Sequence, residues 1–158
     1  MFICFFDTEG IVHKEFVPPG QTVNEKFYCD ILRRLRENIW HKLPDKWYNN
    51  SWTVHHENFL AHASLIVQQF LTSTNKTVIP HPSYSPDLAP CDFCLFLKMK
   101  LKLQWQCFDS IEEIQTESQD VMKTLTWNDF QQCFQPWKSH WNRSINAEGD
   151  YCKGHGGE

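Results

Sequence analysis

Trp52-Thr53-Val54-His55-His56, an apolar helical stripe at Ala63, Ile66, Val67, Phe70 and Leu71, and then Thr77-Val78-Ile79 together decide the fold. The first segment reads as a buried strand, the second as a helix, and the third as a strand ended by Pro80 and Pro82. Strand, helix and strand within about 30 residues make a βαβ unit, and hence a parallel pair of strands. The consequence is positional. Glu57 leaves the carboxyl end of its strand, where α/β sheets place their chemistry.

Upstream, the apolar run Phe2–Phe6, the turn Asp7-Thr8-Glu9-Gly10 and the alternating segment from Ile11 to Val17 form a hairpin, stopped by Pro18-Pro19-Gly20. Thr22-Val23-Asn24-Glu25 has capping-box spacing ahead of a helical stripe at Tyr28, Ile31, Leu32, Leu35 and Ile39. Arg33, Arg34 and Arg36 fall off that stripe and face solvent or a phosphate backbone. Pro44 to Ser51 reads as a polar loop.

Downstream, the loop from Ser83 to Pro90 leads into a helix whose first turn holds Pro90 and whose apolar face is Phe93, Phe96 and Leu97. Asp92 then sits near a helix N-terminus, pointing back toward the loop. Asp109-Ser110 opens another helix with Ile111, Ile114, Val121, Met122 and Leu125 on one side. A last helix carries Phe130, Cys133, Phe134, Trp137 and Trp141, with Pro136 interrupting it. The expected organisation is one α/β domain over residues 1–150 and a Gly-rich flexible tail over 151–158.

Composition narrows the function classes. The 158 residues are 41% apolar and 22% charged, which excludes a disordered tail, a collagen-like fibre or a coiled coil. No apolar run approaches the roughly 20 residues that span a bilayer, so no membrane role is expected. The start is apolar for five residues only and has no basic region, so a soluble intracellular chain without a signal peptide is expected. Fifteen Lys and Arg oppose 19 Asp and Glu, and the excess acid lies beyond residue 79. Any DNA contact must therefore come from local patches. Seven scattered cysteines without a secretion signal read as reduced thiols, and Cys91-Asp92-Phe93-Cys94 fits a helix start better than a metal or redox motif. His56-Glu57 lacks the second histidine of H-E-x-x-H, which excludes that metalloprotease pattern.

The pair that carries chemistry is Glu57 and Asp92, one after a core strand and the other at a helix start. Paired carboxylates in such places hold divalent ions that activate water or a 3′-hydroxyl and stabilise a leaving oxygen. Two such acids are more often a helix cap and a solvated group, so their surrounding residues decide between the readings.

Those surroundings resemble the mariner-family transposases. His55-His56-Glu57-Asn58-Phe59-Leu60-Ala61-His62 resembles the family's HHDNAPAH motif. The run from Pro80 to Phe93 is similar, almost letter for letter, to PHPPYSPDLAPCDF. The 34 residues between Glu57 and Asp92 match the spacing of the second and third acids of the family's Asp-Asp-Asp triad. Gly10-Ile11-Val12-His13, Phe16 to Asn24, Phe108-Asp109-Ser110 and Gly149-Asp150-Tyr151 extend the resemblance from residue 2 to about 154, and relatives include the transposase half of SET-domain/mariner fusion methyltransferases.

The resemblance implies an incomplete ribonuclease-H-like α/β core, with a short mixed sheet, flanking helices and a helical C-terminal part. It also implies Glu57 and Asp92 as catalytic and metal-binding residues, Mg2+ or Mn2+ as cofactor if active, DNA as partner, a homodimer, and a nuclear location (cytoplasmic if inert). Lys98, Lys100 and Lys102, with Arg33 and Arg34, are the candidate nucleic-acid-binding residues. Three departures matter. Set against the family pattern, the chain is expected to start beyond the family's DNA-binding region and the strand bearing its first catalytic Asp. Glu57 stands where the family has Asp, and Gln104-Trp105-Gln106-Cys107 stands where the family carries Gly-Arg-Arg. The expectation is an N-terminally truncated, catalytically inactive remnant with residual nucleic-acid binding. A metal-dependent nuclease and a non-enzymatic interaction module are the alternatives.

Overall fold

The structure, a computed structural model, describes residues 1–56, 64–79, 81–82 and 85–146. Glu57 and the tail 151–158 lie outside the described residues. The chain divides into two units, Met1–His81 and Pro82–Glu158.

In the first unit β1 (Phe2–Phe6) and β2 (Ile11–Phe16) form the expected antiparallel hairpin, with Phe2 opposite Phe16 and Cys4 opposite Lys14. Asp7 builds the turn, its Oδ1 accepting from the amides of Glu9 and Gly10 at 2.8 and 3.1 Å. Its Oδ2 accepts from Lys46 Nζ at 2.7 Å. Helix α1 (Glu25–Lys42) buries Tyr28, Ile31, Leu32, Leu35 and Ile39, the stripe read from the sequence, and packs on β2. Its cap differs from the expected one. Asn24, not Thr22, accepts the Phe27 amide at 2.9 Å, because the helix begins at Glu25 and the cap is the residue just before it.

The segment after α1 is not a loop throughout. Pro44 pre-sets the backbone for a first helical position, and α2 (Pro44–Tyr48) forms there, with Trp47 packed against the core. β3 (Val54–His55) and β4 (Val78–Ile79) pair in parallel, Val54 opposite Val78 and His55 opposite Ile79, and α3 (Leu65–Ser73) connects them. This is the βαβ unit, shorter in its strands than the apolar runs suggested. Ser64 caps α3, and Val67 and Leu71 are buried while Ile66 is 40% exposed. Ile66 was expected on the core face. It lies one residue, about 100° of helix rotation, from the fully buried Val67, and so leaves the buried face.

The second unit is helical. A 3-10 turn (Pro86–Leu88) precedes a π-helical turn (Cys91–Leu95) and α4 (Phe96–Leu103). The π-turn bonds the Phe96 amide to the Cys91 carbonyl, five residues back, and so rotates the helix register. That is why Cys94, Leu95 and Met99 are buried instead of Phe93, Phe96 and Leu97. Helix α5 (Ile111–Lys123) starts at the cap Ser110, and the Glu113 carboxylate reaches back to the Asp109 amide at 2.7 Å. It buries Ser118, Val121 and Met122, one turn-spaced stripe, and leaves Ile111 and Ile114 exposed, against expectation. Helix α6 (Trp127–Asn146) runs on through Pro136, which was expected to interrupt it; one missing amide removes one bond from twenty residues of helix. At its start Thr126 and Asp129 cap each other. Asp129 is held low, at about 2, by the Thr126 amide first and then by Lys98 and the Thr126 hydroxyl.

The uniform reduced-thiol reading is corrected. Cys94 of the π-turn and Cys133 of α6 form a disulfide with Cα atoms 5.5 Å apart. The two cysteines are 39 residues apart in sequence, and the packing of the π-turn against α6 brings them together. Among the described residues no disulfide takes up Cys4, Cys29, Cys91 or Cys107. Among the described residues no helix is long and apolar enough to cross a membrane.

Candidate functional site

Asp92 is exposed in the first turn of the π-helix, where its amide and that of Phe93 bond back to the Ala89 carbonyl at 2.9 and 3.1 Å. The turn below it is firmly seated. Leu88 and Ala89 are buried, the Trp137 indole donates to the Leu88 carbonyl at 2.9 Å, and His140 Nδ1 donates to the Asp87 carbonyl at 2.6 Å. The Phe93 ring stands edge-on to His140 with centroids 5.0 Å apart, and the disulfide ties the next turn to the same helix. Helix α6 thus holds Asp92 in place from Cys133, Trp137 and His140. Sequence reading placed Cys133 and Trp137 on one face of α6 without linking them to Asp92, and it passed over His140.

No side-chain hydrogen bond or ion pair engages the Asp92 carboxylate among the described residues, so its oxygens are available to a hard cation. Glu57 lies outside the described residues. The residue before it, His56, meets the buried Tyr28 hydroxyl through Nδ1 at 2.9 Å, and burial pushes the Tyr28 hydroxyl well above its usual range, so it stays protonated. Among the described residues no three His, Cys, Asp or Glu side chains gather as a metal site.

The basic candidates differ in availability. Lys98 pairs with Asp129 at 3.1 Å and Lys102 donates to the Thr124 hydroxyl at 2.6 Å, while Lys100 is exposed. Arg33 bonds Asp30 and lies over the Phe70 ring at 5.2 Å. Arg34 does not simply face solvent. Its guanidinium grips Glu15 through two bonds of 2.9 and 2.7 Å, and Glu15 also bonds His13 at 2.7 Å. The Arg34 bonds are the main reason the Glu15 carboxyl titrates low, and the same bonds raise Arg34.

A family description, Transposase (partial DDE domain), matches residues 1–48. The chain is 28% identical over 152 residues to the Mariner Mos1 transposase of Drosophila mauritiana, covering 96% of this chain and 44% of that protein. It is 22% identical to the histone-lysine N-methyltransferase SETMAR of Homo sapiens, again over 96% of this chain but 22% of that one. The chain therefore spans less than half the length of either relative. The Mos1 catalytic domain solved with raltegravir and Mg superposes with a TM-score of 0.86 at 28% identity, over 96% of this chain and 76% of that one. The Mos1 paired-end complex with the left transposon end gives 0.86 as well, over 44% of that chain.

The fold is of the mixed α/β, ribonuclease-H-like class to which the solved Mos1 catalytic domain belongs. Within that class the chain is a relative of the mariner-family transposases.

Proposed function

We propose that this chain is a mariner-type transposase catalytic core that keeps weak nucleic-acid binding and lacks phosphodiester cleavage. One observation carries the loss of cleavage. Glu57 occupies the position at which the resembling motif has Asp. The extra methylene moves the carboxylate by about 1.5 Å, and a misplacement of about 1 Å can cost roughly 100-fold in rate. Mg2+ or Mn2+, the ions that the resemblance implies for Asp92 and Glu57, would supply Lewis-acid polarisation of a phosphate oxygen and a bound water of lowered pKa; of the two, Asp92 is the one among the described residues. The chain's own part is to present Asp92 rigidly from the α6-anchored turn. Support for divalent ions and for DNA comes from Mos1, solved with Mg and with Mn and in a complex with a transposon end.

Nucleic-acid binding rests on Lys100 together with Lys98, Lys102, Arg33 and Arg34. Four of these five already have protein partners, so each phosphate contact must displace one. Exposed pairs of this kind are worth only about 0–1 kcal/mol, so displacement is possible and affinity low. A homodimer and a nuclear location belong to the same proposal.

The second reading, a metal-dependent nuclease, is favoured by the accessible Asp92 carboxylate. Incubating supercoiled plasmid with the purified chain and millimolar Mn2+ or Mg2+ separates the two. The expected result is no nicking by the wild type and none by Asp92→Ala. Wild-type nicking that Asp92→Ala abolishes establishes the nuclease instead.

A further inference from the structure

We propose that Arg36 and Lys76 form an oxyanion site for a phosphate group, at the end of the first unit from which the parallel strands start. The turn from Trp47 of α2 to Trp52, just ahead of β3, presents one aromatic ring to each cation. The Asn50 amide bonds the Trp47 carbonyl at 3.2 Å and the Ser51 amide the Lys46 carbonyl at 3.1 Å, which closes the turn. Asn50 takes the left-handed backbone of this reversal, with φ at 50°. The Arg36 guanidinium of α1 stands 5.1 Å from the Trp47 ring centre. Lys76 Nζ, just ahead of β4, stands 3.7 Å from that of Trp52. Both rings pack against the core and are fixed supports.

What this cluster lacks is an acceptor. Arg33 and Arg34 of the same helix pair with Asp30 and Glu15, but among the described residues no carboxylate pairs with Arg36 or Lys76. The buried Arg36 Nε and the buried Trp52 indole N–H have no hydrogen-bond partner. Lys76 donates to the Asn50 side-chain oxygen and, at 3.5 Å, to the Trp52 carbonyl, so the Asn50 side-chain nitrogen adds a further donor. Burial first, and then the Arg36 charge, holds the Lys76 ammonium below its usual range. Each cation therefore feels the other without a counter-charge between them.

Two like charges and unpaired N–H donors in one place raise the free energy of the folded chain, and an anion that joins them removes the cost. A phosphate group fits better than a carboxylate, because it has oxygens enough to engage a guanidinium fork and an ammonium together. The site uses none of the basic residues of the proposed function. A nucleic-acid backbone is one source of the phosphate, which rests on that proposed function, and a free phosphate ion is the other.

Two-dimensional NMR of the isotope-labelled full chain tests the site, with inorganic phosphate titrated against NaCl at constant ionic strength. The readout is the Trp52 indole signal, assigned by its loss in Trp52→Phe. Phosphate should move it saturably with millimolar affinity, about tenfold weaker in Arg36→Gln and in Lys76→Gln. Lys26→Gln, which removes an exposed charge of α1, should leave the titration unchanged. Short duplex DNA then tells the sources apart. A Trp52 shift with the duplex, and a salt slope smaller by about one in either variant, makes the phosphate that of a backbone. A signal moved by inorganic phosphate alone makes it a free ion. Either result upholds the site, and phosphate binding without any duplex binding sinks the nucleic-acid reading only. A shift that chloride reproduces, no shift, or undiminished affinity in both variants would overturn the site, even where the duplex binds. The wild-type comparison of phosphate with chloride decides the matter if a variant loses its circular-dichroism signal.

Discussion

Replacing Cys133 by serine should lower the unfolding free energy of the C-terminal unit by about 4 kcal/mol, the loop-closure value for a cross-link across a separation of 39 residues. The bond joins the turn beside Asp92 to α6, so its loss frees both partners in the unfolded chain and loosens the seat of the carboxylate. Urea unfolding followed by hydrogen exchange, with and without a dithiol reductant, reads the effect. Reductant should bring the wild type to the midpoint of Cys133→Ser and leave that variant unmoved. Cys107→Ser, at an exposed position outside the disulfide, should behave as the wild type. A wild-type midpoint that ignores the reductant contradicts the pairing.

Leu32→Ala should cost about 3 kcal/mol. Leu32 is 1% exposed on the face of α1 that packs against β2 and α3, so truncation leaves a cavity in the middle of the first unit. Ile66→Ala, on the outer side of α3, should stay within about 0.5 kcal/mol. Comparable losses at the two positions would mean that α3 buries a different face. Denaturant midpoints with unchanged slopes measure both.

The parts of the fold set by local pattern were legible. The hairpin followed from alternation and a turn, α1 from an unbroken 3.6-residue stripe, and the parallel pair from strand, helix and strand in sequence. The misses came from events that a linear pattern does not encode. One extra residue in the π-turn shifted the buried face from Phe93, Phe96 and Leu97 to Cys94, Leu95 and Met99. Pro44 looked like a loop residue and served as a helix start. Cys94 found Cys133 across 39 residues, a partnership no sequence spacing announces.

The candidate site divides in the same way. The place of Asp92 at a helix start was legible because Pro90 and the following apolar residues mark one. Its support from Trp137 and His140 was not, because both act through backbone carbonyls that any sequence would offer. Arg34 was read as a free cation because it leaves the core stripe. Its engagement with Glu15 depends on β2 lying against α1, which is tertiary information.

The central claim is a transposase-like core that still touches DNA, weakly and without reading its sequence. Fluorescence anisotropy of labelled duplexes titrated with the full chain at rising salt tests it most directly. Binding should be independent of sequence, with log K falling against log salt at a slope of about −2 to −3, the value for two or three phosphate contacts. Alanine at Lys98, Lys100 and Lys102 together should flatten that slope. Binding that ignores salt, or none at low salt, would contradict the account.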